Sequence, residues 1–186
     1  VISHGFGSNP ESFEKYAQHL TSYGYVVAIP QHPGSDTIQQ QNALKGLSKE
    51  LFQVNDFIDR PLDITFVIDE LEKLNQSEFQ GKLDLENVGV AGHSFGGYTA
   101  LAIAGATIDF DNLEENCQLD QGKPNTSLLL QCRALELSRK EYNFRDNRVK
   151  AIFIGNPVNS LIFGKKGLNN ISIPTWIGAA SRDLAA

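Results

Sequence analysis

No run of apolar residues in this chain approaches the length that a membrane-spanning helix requires, so no transmembrane segment is expected. Cations are not in excess. Sixteen Lys and Arg against 22 Asp and Glu leave a formal net charge of -6, and the cations are scattered rather than bunched. A basic face for nucleic acid is therefore not expected. Cysteine is confined to Cys117 and Cys132. Neither has a second cysteine or a histidine at ligand spacing, which argues against a zinc site, and no metal is expected. The two enclose a short loop holding Gly122 and Pro124, a length at which a disulfide adds ~3 kcal/mol; two free thiols in a helical segment are the alternative. A bridge would favour a secreted or periplasmic location, and free thiols a cytoplasmic one. The chain has no internal repeat and no low-complexity linker, and no glycine–lysine pair suggests a phosphate-binding loop.

What is present points to one domain, since 186 residues with 41% hydrophobic content suffice for a single core and not for two of ordinary size. Val1-Ile2-Ser3 reads as the end of a strand already under way, so a chain truncated at both ends is expected. The most informative stretch is Val88 to Gly97. A β-branched apolar run from Val88 to Ala91 breaks at Gly92, and the small residues after Gly97 continue with helical character. Between strand and helix, Gly92, His93, Ser94, Phe95 and Gly96 spell G-x-S-x-G, a turn so sharp that its serine takes a strained backbone conformation. Gly92 and Gly96 are expected to come close together there, so that a Cβ on either would collide. An ordinary turn with a serine N-cap is the bland alternative.

Elsewhere, Asn9 and Pro10 signal a helix start and Gly24 its end. Tyr25 to Ile29 reads as a buried strand closed by Pro30. Leu44, Leu47, Leu51 and Phe52 suggest a helix within residues 35–58, and Pro61 is expected to open a helix with Ile64, Val67, Ile68, Leu71 and Leu74 on one face. The apolar segment from Thr126 to Leu137 is broader than one face needs. It is read either as a helix on the sheet flank or as a lid over an apolar site. Val149 to Ile154 is a further buried strand; an apolar loop with Val158, Leu161, Ile162 and Phe163 follows, then a last strand from Thr175 to Gly178.

The G-x-S-x-G elbow together with the upstream His4-Gly5-Phe6-Gly7 segment resembles the α/β-hydrolase superfamily, and more narrowly its dienelactone-hydrolase-like and platelet-activating-factor-acetylhydrolase-like esterases and lipases. The resemblance extends over nearly all of the chain. It implies an α/β fold with a mostly parallel sheet and helices on both faces; residues 108–147, where the alternation of strand and helix breaks off, are read as a helical, lid-like insertion. It further implies a Ser94 nucleophile, an oxyanion hole formed by the backbone N–H groups of Phe6 and Phe95, and Asp183 as the acid. His4, Gly5 and His93 would act as supports. In this fold the order along the chain is Ser, then acid, then His. The four histidines (His4, His19, His32 and His93) all precede Ser94, so the base is expected beyond Ala186. In acetylhydrolases the acid follows the sixth strand, where this chain has Asn156. The implied activity is cofactor-free hydrolysis of small-molecule or lipid carboxylic esters through an acyl-enzyme. A peptidase or thioesterase of the same fold is the nearest alternative, and a non-catalytic binding relative the more distant one.

Overall fold

The computed structural model describes residues 1–46, 50–119, 125–158 and 160–181. Four parallel strands lie in the order β1 (Ile2–Ser3), β2 (Val88–His93), β3 (Val149–Gly155) and β4 (Thr175–Gly178). Ile2 pairs with Ala91, Gly92 with Ile154, and Ile154 with Ile177. Parallel neighbours need a crossover. The described helices that supply it are α1 (Glu14–Ser22), α2 (Thr37–Leu44), α3 (Asp56–Ser77), α4 (Phe95–Ile103), α5 (Phe110–Leu119), α6 (Thr126–Arg133) and α7 (Ser160–Leu168). Asn9 caps a 3-10 turn, Pro10–Phe13, that leads into α1, and Asp36 caps α2 through the Gln39 N–H.

Four segments differ from the sequence expectation. The run 25–29 joins β1 through Ile2 N–H to the Ala28 carbonyl, 2.9 Å, without regular strand pairing. Its neighbour β1 is two residues long, too short to template a ladder, and Tyr25 and Val26 stay exposed. The helix expected within 35–58 ends at Leu44, and Phe52 instead turns inward to meet Phe6 edge-on with ring centroids 4.7 Å apart. Residues 158–168, expected as a loop, hold α7, interrupted at Gly164 (φ 51°). Burying Ile162 and Phe163 completely, with Phe163 stacked on Tyr98, outweighs the two glycines that weaken the helical pattern.

The fourth difference lies at Pro61, which stands inside α3 rather than at its start. A proline there removes the N–H that would bond the carbonyl of Phe57, four residues earlier. Tyr98, buried on α4, donates its hydroxyl to that carbonyl at 2.8 Å. The phenol takes the place of the missing amide, and the helix continues through the proline. Tyr98→Phe should therefore cost about 1–3 kcal/mol by leaving a buried carbonyl without a donor. Pro61→Ala restores an amide and should erase most of that cost. Denaturation of wild type, both single variants and the double variant measures the coupling, and an equal Tyr98→Phe penalty in both backgrounds would refute the substitution of one donor for the other.

All nine residues of α4 are buried, so it runs through the core rather than along a surface. The described residues within 108–147 form α5, α6 and a 3-10 turn, with Cys117 and Cys132 bridged at a Cα–Cα distance of 5.9 Å. Leu130, Ala134 and Leu137 are buried while Leu129 is exposed, so α6 and the turn after it bury one face, not the two sides that the leucine content suggests. Both α5 and α6 pack against α7. No helix among the described residues is long and apolar enough to cross a membrane.

Candidate active site

Strand β2 runs to His93 and α4 begins at Phe95, so Ser94 alone makes the turn. Its backbone has φ 55° and ψ -117°, a conformation that costs an ordinary residue roughly 1–3 kcal/mol. Three hydrogen bonds hold it there. Ser94 N–H donates to the Gly155 carbonyl at 3.0 Å, and the Ser94 carbonyl accepts from Gly97 N–H at 2.8 Å and from Val158 N–H at 3.3 Å. The glycines make the geometry possible. A Cβ at Gly92 would stand 2.0 Å from the Gly96 carbonyl oxygen, the mutual approach read from the sequence. A Cβ at Gly96 would instead strike the Ser3 carbonyl oxygen at 2.0 Å, so this glycine seats the elbow on β1 rather than on Gly92.

Ser94 is partly exposed at the N-terminal end of α4, where first-turn N–H groups lack intrahelical partners and favour negative charge. Phe95 N–H is the first of them. Gly5 packs against the serine: a Cβ added there would lie 3.2 Å from Ser94 Cβ. In the loop that Gly5 begins, Gly7 N–H donates to the Ser35 carbonyl and Ser8 N–H to the Gly5 carbonyl, while Phe6 N–H meets no backbone acceptor among the described residues. Phe95 N–H thus follows the serine directly, and Gly5, the residue before Phe6, packs against it. The His93 ring is exposed beside Gly5 and Gly155.

Beneath this surface lies a polar network that the sequence reading did not anticipate. His4 is fully buried. Its Nε2 accepts the backbone N–H of His32 at 3.1 Å, so the proton sits on Nδ1, which donates to the Gly5 carbonyl at 2.8 Å. Burial holds its pKa below the usual histidine value and keeps the ring neutral. His32, also buried, places Nδ1 2.7 Å from Asp63 Oδ2 and Nε2 2.9 Å from Ser3 Oγ. Burial pushes its pKa down to about 4. The neutral ring therefore donates from Nδ1 and accepts the Ser3 hydroxyl proton at Nε2. Ser3, His32 and Asp63 repeat the residue types of a catalytic triad, but Ser3 is 0% exposed and cannot meet a substrate. They are structural supports for β1 and the loop after it.

Arg60 completes the network. It is 0% exposed and bonds Ser3, His4, Ser35 and Thr99. The sequence carries a signal for it, because Arg60 falls on the same helical stripe as Phe57, Ile64 and Ile68, where a charge is out of place unless paired.

Asp183 lies outside the described residues. Asn156, at the end of β3, has φ 42°; its N–H donates to the Gly178 carbonyl at 2.7 Å, and its Oδ1 accepts Ala180 N–H at 2.6 Å. It joins the exits of β3 and β4. Among the described residues, no group of three or more His, Cys, Asp or Glu is arranged to hold a metal ion.

A family model described as Chlorophyllase matches residues 1–116, a stretch that takes in the His4 loop, the Arg60 network and the whole elbow. No solved structure matches the chain.

Proposed function

The chain belongs to the chlorophyllase family, which is part of the α/β-hydrolase superfamily, and we propose on that premise that it is a serine hydrolase of carboxylic esters with Ser94 as nucleophile. The observation that supports this most directly is the isolation of Ser94 at φ 55° between a strand and a helix, with Gly5 packed on it. Strain maintained at one residue by three hydrogen bonds suits a group that must project into a site.

In this reading Ser94 Oγ attacks the ester carbonyl carbon as a histidine removes its proton. The carbonyl oxygen becomes an oxyanion held by Phe6 N–H and Phe95 N–H. Collapse breaks the bond to the alkoxy oxygen, which takes the proton from the histidine and leaves as the alcohol. Water then attacks the acyl-enzyme by the same steps, freeing the acid and Ser94. The base in this reading is a histidine that follows the acid in chain order, oriented by Asp183. Asn156, busy joining two strand exits, suits a structural role better than an acid position. That favours the dienelactone-hydrolase-like arrangement over the acetylhydrolase-like one.

The family's description names chlorophyll; for this chain the proposal covers esters of small molecules or lipids as a class. The bridged Cys117 and Cys132 support an oxidising, secreted or periplasmic setting. Helices α5 and α6 remain a candidate lid through their position after the elbow helix. A fluorophosphonate probe on the full-length protein tests the reading. Stoichiometric labelling of Ser94, blocked by prior incubation with a short p-nitrophenyl ester, is expected. Absence of labelling in a protein that is folded and binds the ester would support a non-catalytic relative instead.

A further inference from the structure

We propose that Arg60 is a positioning residue for the oxyanion site, its buried guanidinium setting the distance between the segment that carries Phe6 N–H and the segment that carries Phe95 N–H. The inference rests on the reading of Ser94 given above and deepens it.

The contacts fall on both segments. On the loop side, Arg60 Nη2 donates to the His4 carbonyl, two residues before Phe6, and to Ser3 Oγ at 3.3 Å. On the elbow side, Nε donates to Thr99 Oγ1 at 3.2 Å, and the guanidinium lies over the Phe95 ring, 4.6 Å from its centroid. Thr99 in turn donates its hydroxyl to the Phe95 carbonyl at 3.2 Å. Nη1 donates to Ser35 Oγ at 2.7 Å, and the Ser35 carbonyl accepts Gly7 N–H from the same loop. One planar fork with fixed donor directions therefore connects the loop, the turn behind it and the first turn of α4.

The chemistry of the partners separates positioning from simple stabilisation. Every acceptor that Arg60 uses among the described residues is a neutral oxygen, and no carboxylate lies within ion-pair distance of it. Asp56 is close enough to feel its charge, yet Asp56 Oδ2 has no hydrogen-bond partner. Placing a cation where no carboxylate bonds it is costly, and an apolar side chain of similar volume would serve stability as well or better. What an apolar side chain cannot do is hold the His4 carbonyl and Thr99 at a set separation. Oxyanion donors act through placement within a fraction of an ångström, so a support of this kind bears on rate more than on substrate affinity.

The test uses the full-length protein with Arg60→Met, which removes every donor, and Arg60→Lys, which keeps the charge and loses the fork. Ser94 sites are counted by labelling with a fluorophosphonate carried to completion, and kcat is expressed per labelled site for a short p-nitrophenyl ester. Arg60→Met should lower kcat per site by about 100-fold, the scale of losing an oxyanion donor, with KM little changed. Arg60→Lys should fall between Met and wild type, and the phosphonylation rate should decline in parallel with kcat. A purely structural role would reduce the number of labelled sites and leave kcat per site at the wild-type value, which overturns the proposal. If the methionine variant does not fold, wild-type kcat per site in the lysine variant overturns it equally. Failure of the underlying reading shows separately, as a wild-type protein in which Ser94 is not labelled.

Discussion

Ser94→Ala is expected to bring ester hydrolysis by the full-length protein down to background while leaving its melting curve in place. The substitution deletes one partly exposed oxygen. It keeps the Cβ, so the strain at φ 55° is unchanged, and the three backbone hydrogen bonds that maintain it do not involve the hydroxyl. The loss in kcat should be on the order of a million-fold, as for removal of the nucleophile in subtilisin. Most of the turnover surviving at an unaltered melting temperature would place the nucleophile elsewhere. Ser3, whose hydroxyl bonds the His32 ring, would then have to be reconsidered despite its burial.

Gly96→Ala should act the opposite way, on the fold rather than the chemistry. The new Cβ would stand 2.0 Å from the Ser3 carbonyl oxygen and 3.0 Å from that of His4. Both are backbone atoms, so relief requires α4 to lift away from β1. Overpacking of an ordinary core costs roughly 1–3 kcal/mol. Here the displaced element is the fully buried α4, and a loss above about 3 kcal/mol is expected, a large share of the roughly 5–15 kcal/mol that holds a domain folded. Gly89→Ala, on the neighbouring strand β2, is the control. A Cβ there meets nothing within 4 Å, and its effect should be small. Soluble yield and denaturation midpoints distinguish the two, and a Gly96→Ala protein as stable as the Gly89→Ala protein would mean that the elbow is not seated on β1 as described.

The proline of α3 shows where local reading misleads. Pro61 looks like a first-turn residue because a proline inside a helix strands a carbonyl. The donor that satisfies this carbonyl, the Tyr98 hydroxyl, comes from 41 residues along the chain and from a different helix. Nothing within a window around Pro61 announces it. The same holds for α7, whose helical state depends on burying Ile162 and Phe163 against partners that only the folded chain supplies.

The elbow belongs to the other kind of feature. Gly92, Ser94 and Gly96 are legible in one short stretch because a chain reversing within five residues brings Gly92 against Gly96 and admits no Cβ on the first, although the atom that excludes a Cβ at Gly96, the Ser3 carbonyl oxygen, belongs to β1. The alternation of strand and helix around it, and hence the parallel α/β sheet, follows from hydrophobic periodicity. Arg60, Ser3, Ser35, His32 and Asp63 came together only through tertiary structure. Arg60 stands out locally only as a charge on the apolar stripe of α3, the other four do not stand out at all, and their hydrogen bonds join positions 25 to 57 residues apart. Backbone sterics forbid a side chain outright and so leave their mark on the residues themselves. The pairing of buried polar groups is decided by which segments the completed core brings within hydrogen-bond distance of one another, and no single segment records it.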